Sequence, residues 1–174
     1  MKKYLIAVVI ILSLVFAPTS AFAAANPAVC IVNPVTGSTT TANNLLISVK
    51  ITKPQTINVT AYEKKIVVNG VEKSINSDEV KNSNTLTKDN LKNVTVMDTE
   101  TFSCNNNLSF YTKQIDITPG LYEVKVDTIG KDGKIKYTNY SFVNAKENDS
   151  SPDLFKTEQS GTFKFIQNVL KSIF

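Results

Sequence analysis

The sequence predicts an all-β domain, an antiparallel β-sandwich of about seven strands, on three observations. Apolar residues alternate with polar ones at period two in several short runs. Turn-forming pairs, Asn69-Gly70, Pro119-Gly120 and Asp132-Gly133, punctuate those runs. Helical periodicity is nearly absent from Val29 to Val143.

Taken in order, the first element is not part of that domain. Lys2 and Lys3 precede an apolar run, Tyr4 to Ala17, which Pro18 ends; Ala21-Phe22-Ala23 then offers small residues at the positions a signal peptidase requires. The run is shorter than the roughly 20 residues needed to span hydrocarbon. Residues 1–23 therefore read as a cleaved signal peptide, which places the mature chain outside the cell or on its surface. Removing them leaves 17 lysines against 15 carboxylates, a net charge near +2, which gives no reason to invoke nucleic acid.

Val29 to Val35 reads as a short strand entering a turn at Pro34 to Gly37. Leu45 to Ile51 alternates cleanly, with Leu45, Ile47, Val49 and Ile51 on one face. After Lys53-Pro54-Gln55, Ile57, Val59 and Ala61 alternate with Asn58, Thr60 and Tyr62, and Lys65 to Val68 continues to Asn69-Gly70, a type I′ hairpin signal. Val71 to Asn93 is polar and reads as a long loop with at most a turn or two of helix over Thr87 to Leu91. Val94 to Met97 resumes the strand pattern. Leu108 and Phe110 follow, then Tyr111 to Ile117 after a one-residue change of phase. Leu121, Tyr122, Val124 and Val126 form the next strand, and Ile135, Tyr137, Phe142 and Val143 the last.

Asn33-Pro34-Val35-Thr36-Gly37, Ile117 to Val124, Asp132-Gly133-Lys134 and Tyr140 to Val143 together resemble the immunoglobulin-like and fibronectin-III-like domains of bacterial secreted and surface proteins. In that family the late stretch forms the last hairpin of the sandwich. The resemblance implies an immunoglobulin-like sandwich over residues 24–143 with a binding or spacing role. It departs from antibody-type domains in having no Trp and in the positions of its cysteines.

The composition closes off much chemistry. With no His there is no imidazole base, no Ser-His-Asp or Cys-His nucleophile and no His-bearing zinc site. With no Arg, the cations are lysine point charges rather than bidentate clamps. Asp98 with Glu100, or Asp127 with Asp132, read as solvated carboxylates rather than a calcium loop. Neither catalytic residues, metal ligands nor a cofactor are expected. Cys30 and Cys104, the two cysteines of an exported chain, are expected to form a disulfide closing a loop of about 75 residues, which the chain-entropy model values at about 4 kcal/mol.

Residues 144–161 read as a polar linker containing Pro152, and residues 162–174 as an amphipathic helix. Its apolar stripe is Phe163, Ile166, Val169, Leu170, Ile173 and Phe174, with Phe165 widening it. Such a stripe packs on the sandwich, lies on a membrane surface, or docks on a protein partner or a second copy; with only Lys164 and Lys171 for lipid headgroups, docking is the expectation. The function expected is an exported, non-enzymatic binding or structural protein of a Gram-positive-type cell surface or secretome. A carbohydrate-binding or accessory domain of a secreted hydrolase system is the alternative, with Tyr62, Tyr137 and Tyr140 as sugar platforms.

Overall fold

The computed structural model describes residues 24–75 and 90–147, so the expected signal peptide, the tail helix and most of the linker lie outside the described residues. Within them the chain is all-β: nine strands, two sheets and no α-helix. β1 (Val29–Asn33), β3 (Asn44–Ile51) and β7 (Ser109–Asp116) form a three-stranded antiparallel sheet in the order β1-β3-β7. The larger sheet runs β2 (Ser38–Thr40), β9 (Ile135–Ala145), β8 (Gly120–Ile129), β4 (Gln55–Val68), with β5 (Val71–Ser74) and β6 (Leu91–Cys104) both on β4. Its pairings are antiparallel except β2 with β9, which is parallel.

Alternation decides what each strand buries. Leu45, Ile47, Val49 and Ile51 of β3 meet Ile57, Val59 and Ala61 of β4 and Tyr122, Val124 and Val126 of β8 in one core between the sheets. All of these are at most 4% exposed, so each large side chain there contributes about 1.5–3 kcal/mol by burial. Ile31, Val96, Phe102 and Ile115 close the margin, and Phe102 meets the Tyr111 ring edge-on at 5.8 Å.

The turns follow their residues. Asn69 and Gly70 both take positive φ, 52° and 77°, the type I′ geometry that Asn-Gly permits, and β4 turns into β5 there. Gly133 (φ 76°) lets the β8–β9 hairpin close, with Gly130 N–H donating to the Lys134 carbonyl at 2.8 Å. Where the chain enters β8, the buried Tyr122 turns its hydroxyl back on the backbone four residues upstream. It donates to the Thr118 carbonyl at 2.8 Å and accepts from the Thr118 N–H at 3.0 Å.

Three expectations are corrected. Val71–Ser74 is a strand, and the strand read as Val94 to Met97 runs from Leu91 to Cys104, so the polar stretch expected as loop contributes strand at both ends. No phase change occurs before Tyr111: β7 alternates throughout, Tyr111 facing the core and Phe110 facing out. β9 continues two residues beyond Val143, so Asn144 and Ala145, read as the start of the linker, are buried strand residues.

Candidate functional site

At one end of the two sheets, three chain segments converge on a cleft of about 1160 Å³. They are Asn26–Ala28 ahead of β1, the β3–β4 turn from Thr52 to Thr56, and the β8–β9 hairpin from Thr128 to Tyr137. The cleft exists because the pairing of β4 with β8 sets Thr56 opposite Ile129, which brings the two turns to the same end.

Asn26 organises the floor. Its Nδ2 donates to Gln55 Oε1 at 2.9 Å and to Thr128 Oγ1 at 3.0 Å, and its Oδ1 accepts from the Ala28 N–H at 3.0 Å. Its own N–H donates to Asn139 Oδ1 at 3.0 Å, while Asn139 Nδ2 donates to the carbonyls of Asn26 and Val29. The Thr138 N–H reaches the Ala24 carbonyl at 3.3 Å. The segment that follows the expected cleavage point is thus tied to β4, β8 and β9. Gln55 Nε2 is buried and has no hydrogen-bond partner.

The rim is cationic. Lys53 stands on the β3–β4 turn, Lys131 and Lys134 on the β8–β9 hairpin, and Lys136 at the start of β9, all exposed. None of the four joins an ion pair among the described residues. The one carboxylate, Asp132, accepts the Lys134 N–H at 3.2 Å and is part of the turn. Four lysines against one carboxylate give the rim a net charge of +3. The described residues carry 12 lysines against 9 carboxylates, a net charge of +3, so within them this end accounts for the whole positive excess. Tyr137 is the one aromatic residue in the lining, and Lys136 Nζ lies 5.3 Å from its ring centroid.

Elsewhere several of the charges are paired. On the outer face of the larger sheet Lys64 and Glu123 form a buried ion pair, with Lys64 Nζ also donating to Asn93 Oδ1 at 2.8 Å. Lys125 meets Asp127 at 2.7 Å, and Asp127 accepts the Thr138 hydroxyl at 2.7 Å. Beside the core, Glu100 accepts from Lys113 at 2.7 Å and from the Tyr111 hydroxyl at 2.8 Å. The lysine first, then the phenol, hold the Glu100 carboxyl below its ordinary range. Burial, and then the hydrogen bond to Glu100, push the Tyr111 phenol well above its ordinary value. Asp127 and Asp132 are each engaged with their own partners rather than with one another. Among the described residues no three His, Cys, Asp or Glu side chains are grouped as metal ligands, and no helix is long and apolar enough to cross a membrane.

The structure carries no disulfide between Cys30 and Cys104. Val29 and Ile31 of β1 face the core, so Cys30 between them faces solvent, whereas Cys104 at the end of β6 is buried in the core, its Sγ 3.0 Å from the Asn106 carbonyl. Both are free thiols, Cys30 exposed and Cys104 buried. Of the three tyrosines, Tyr137 enters the cleft, while Tyr62 and Tyr140 lie opposite Glu123 and Lys125 on the outer face of the larger sheet. The stripe from Phe163 to Phe174 lies outside the described residues. Sequence reasoning placed the turns that carry Lys53, Lys131 and Lys134 but assigned them no role, and it passed over Asn26.

No family model and no curated protein matches the chain. Among solved structures, the chain is similar to the Pseudomonas fluorescens alkylpurine DNA glycosylase AlkC, solved bound to DNA containing an abasic site analog. The identity is 14%, the TM-score 0.26, and the likeness covers 62% of this chain and 28% of that one. A likeness of that extent enters no argument about fold or function.

Proposed function

We propose that this protein is an exported, non-enzymatic binding domain of immunoglobulin-like fold that engages its ligand through the lysine-rimmed cleft. The fold reading is supported by the strand order: β1-β3-β7 corresponds to strands A, B and E of such a sandwich and β9-β8-β4 to G, F and C. Tyr122 adds to it, since a hydroxyl returned to the backbone at the entry to the F-equivalent strand is the tyrosine corner of these domains. The observation that carries the binding reading is the gathering on one cleft of four lysines that join no ion pair among the described residues, while Glu100, Glu123 and Asp127 each have a lysine partner.

Residues 162–174 supply a second contact, to a protein partner or another copy, through the helical stripe from Phe163 to Phe174. Deleting residues 160–174 then leaves the unfolding midpoint nearly unchanged and abolishes self-association or partner capture. Unfolding of the truncated chain assigns the stripe to the core instead.

Fractionation of cells producing the full chain, followed by sequencing of the N-terminus, tests the export reading: the expected species starts Ala24-Ala25-Asn26 and lies outside the cytoplasm. Recovery of the chain intact from Met1 within the cytoplasm or membrane contradicts it. Binding of that mature species to isolated cell envelope, lost when Lys53, Lys131, Lys134 and Lys136 are all changed to Ser, tests the cleft.

A further inference from the structure

We infer that the cleft takes a linear phosphate polymer with no stacking bases, a chain of phosphodiesters on a small flexible backbone; the inference rests on the binding reading above and gives it a ligand class. Hydrogen-bonding capacity comes first. Each lysine ammonium offers three donors and no acceptor, and Asp132, the one carboxylate of the lining, is engaged by a turn amide. A lining in surplus of donors fits a ligand made of acceptors, which is an anion.

Size and spacing point to a polymer. The cleft, at about 1160 Å³, exceeds the roughly 300–1,000 Å³ of small-molecule pockets, and its lining draws on three separated chain segments. Lys134 and Lys136 stand two residues apart at the entry to β9, so strand geometry separates their Cα atoms by roughly 7 Å. That is on the order of one three-carbon phosphodiester repeat, so successive phosphates can meet successive lysines.

The side-chain types separate phosphate from its competitors. Recognition of planar carboxylates is served best by the guanidinium fork, and this chain has no Arg, whereas a lysine point charge suits a phosphate oxygen from many directions. Single-stranded nucleic acids and neutral sugars are held largely by stacking on aromatic faces. The cleft offers one ring, Tyr137, and Lys136 lies against it.

The test is a titration of the mature chain with poly(glycerol phosphate) across a salt series, read by fluorescence anisotropy of the labelled polymer. With three to four phosphates neutralised, a slope of about −0.7 per phosphate weakens binding roughly 20–50-fold between about 50 and 200 mM salt. Each of Lys53→Ser, Lys131→Ser, Lys134→Ser and Lys136→Ser should cost about fivefold at ~0.1 M salt and flatten the slope by about 0.7. Lys50→Ser, on the outer face of the smaller sheet, should change neither. These are exposed positions, and matched unfolding midpoints confirm that the variants fold.

Equal weakening by Lys50→Ser overturns the cleft assignment. Binding of poly-L-glutamate or oligothymidylate as tight as that of poly(glycerol phosphate) overturns the phosphate polymer as ligand. Cleft-dependent binding of a neutral glycan without binding of poly(glycerol phosphate) refutes the ligand class while leaving the binding reading in place. Failure of the chain to bind any of these polymers or isolated envelope removes both.

Discussion

Tyr122→Phe removes one oxygen atom from the domain and should destabilise it measurably. The ring is 1% exposed and packs in the core between the sheets, so its apolar contacts survive the change. What is lost is the pair of backbone hydrogen bonds to Thr118, at 2.8 Å to its carbonyl and 3.0 Å from its N–H, together with a longer contact to its hydroxyl at 3.3 Å. At about 0.5–1.5 kcal/mol each, the pair is worth roughly 1–3 kcal/mol. Water can replace part of that, because Thr118 is exposed, so a loss of about 1.5–2 kcal/mol is expected. For a domain of this size each kcal/mol lowers Tm by about 3–5 °C, giving a fall of roughly 5–10 °C. Thermal and urea unfolding followed by circular dichroism read this directly, with the m-value unchanged because the exposed surface is the same. A Tm within about 1 °C of the parent would refute the role given to the corner.

The remaining predictions concern the cysteines and tyrosines. Thiol labelling of native, unreduced protein should modify Cys30 at once and Cys104 only after unfolding; absence of any free thiol would restore the bridge. In alkaline titration followed at the tyrosinate absorbance, Tyr111 should stay protonated through the step near pH 10. Tyr111→Phe should therefore leave the height of that step unaltered, and a shrunken step contradicts the contact with Glu100. Because the folded-state phenol lies above its unfolded value, its stabilisation is whole below about pH 10 and declines above it. Glu100 has the opposite sense: its folded value is lowered, so its contribution is present above about pH 4.5 and lost as the pH falls through the folded value, and Glu100→Gln should flatten the acid limb of the stability profile.

Period-two alternation was legible wherever one face of a strand meets the core, as in β3 and the first half of β4. It failed where little is buried. β5 has no fully buried side chain, and β6 buries only Met97 and Cys104, with bulges at Val59–Tyr62 shifting the register of its partner. Such strands are defined by backbone pairing to β4, which leaves no apolar signature in the sequence. The polar residues of β4 and β8 hide another feature: Lys64 and Glu123 form a buried pair, each satisfying the other's charge, and nothing in the sequence marks them as buried.

For the site, local chemistry was readable and assembly was not. The turns at Lys53-Pro54 and Asp132-Gly133 are visible as turns, but that they share one end of the domain follows from the β4–β8 register over about 70 intervening residues. Asn26 belongs to no motif, and its role emerges only from three long-range partners, Gln55, Thr128 and Asn139. The settings of the two cysteines were not legible by counting: Cys30 is exposed on β1 and Cys104 is buried at the end of β6.

The most direct measurement of the central claim is an amide chemical-shift titration of the mature, isotope-labelled chain with poly(glycerol phosphate). Saturable shifts should concentrate on Lys53, Gln55 and Lys131 to Lys136, with the outer face of the smaller sheet, Cys30, Lys50 and Phe110, unmoved. Shifts centred on that outer face, or none anywhere at saturating polymer, would contradict the assignment of the cleft as the binding site.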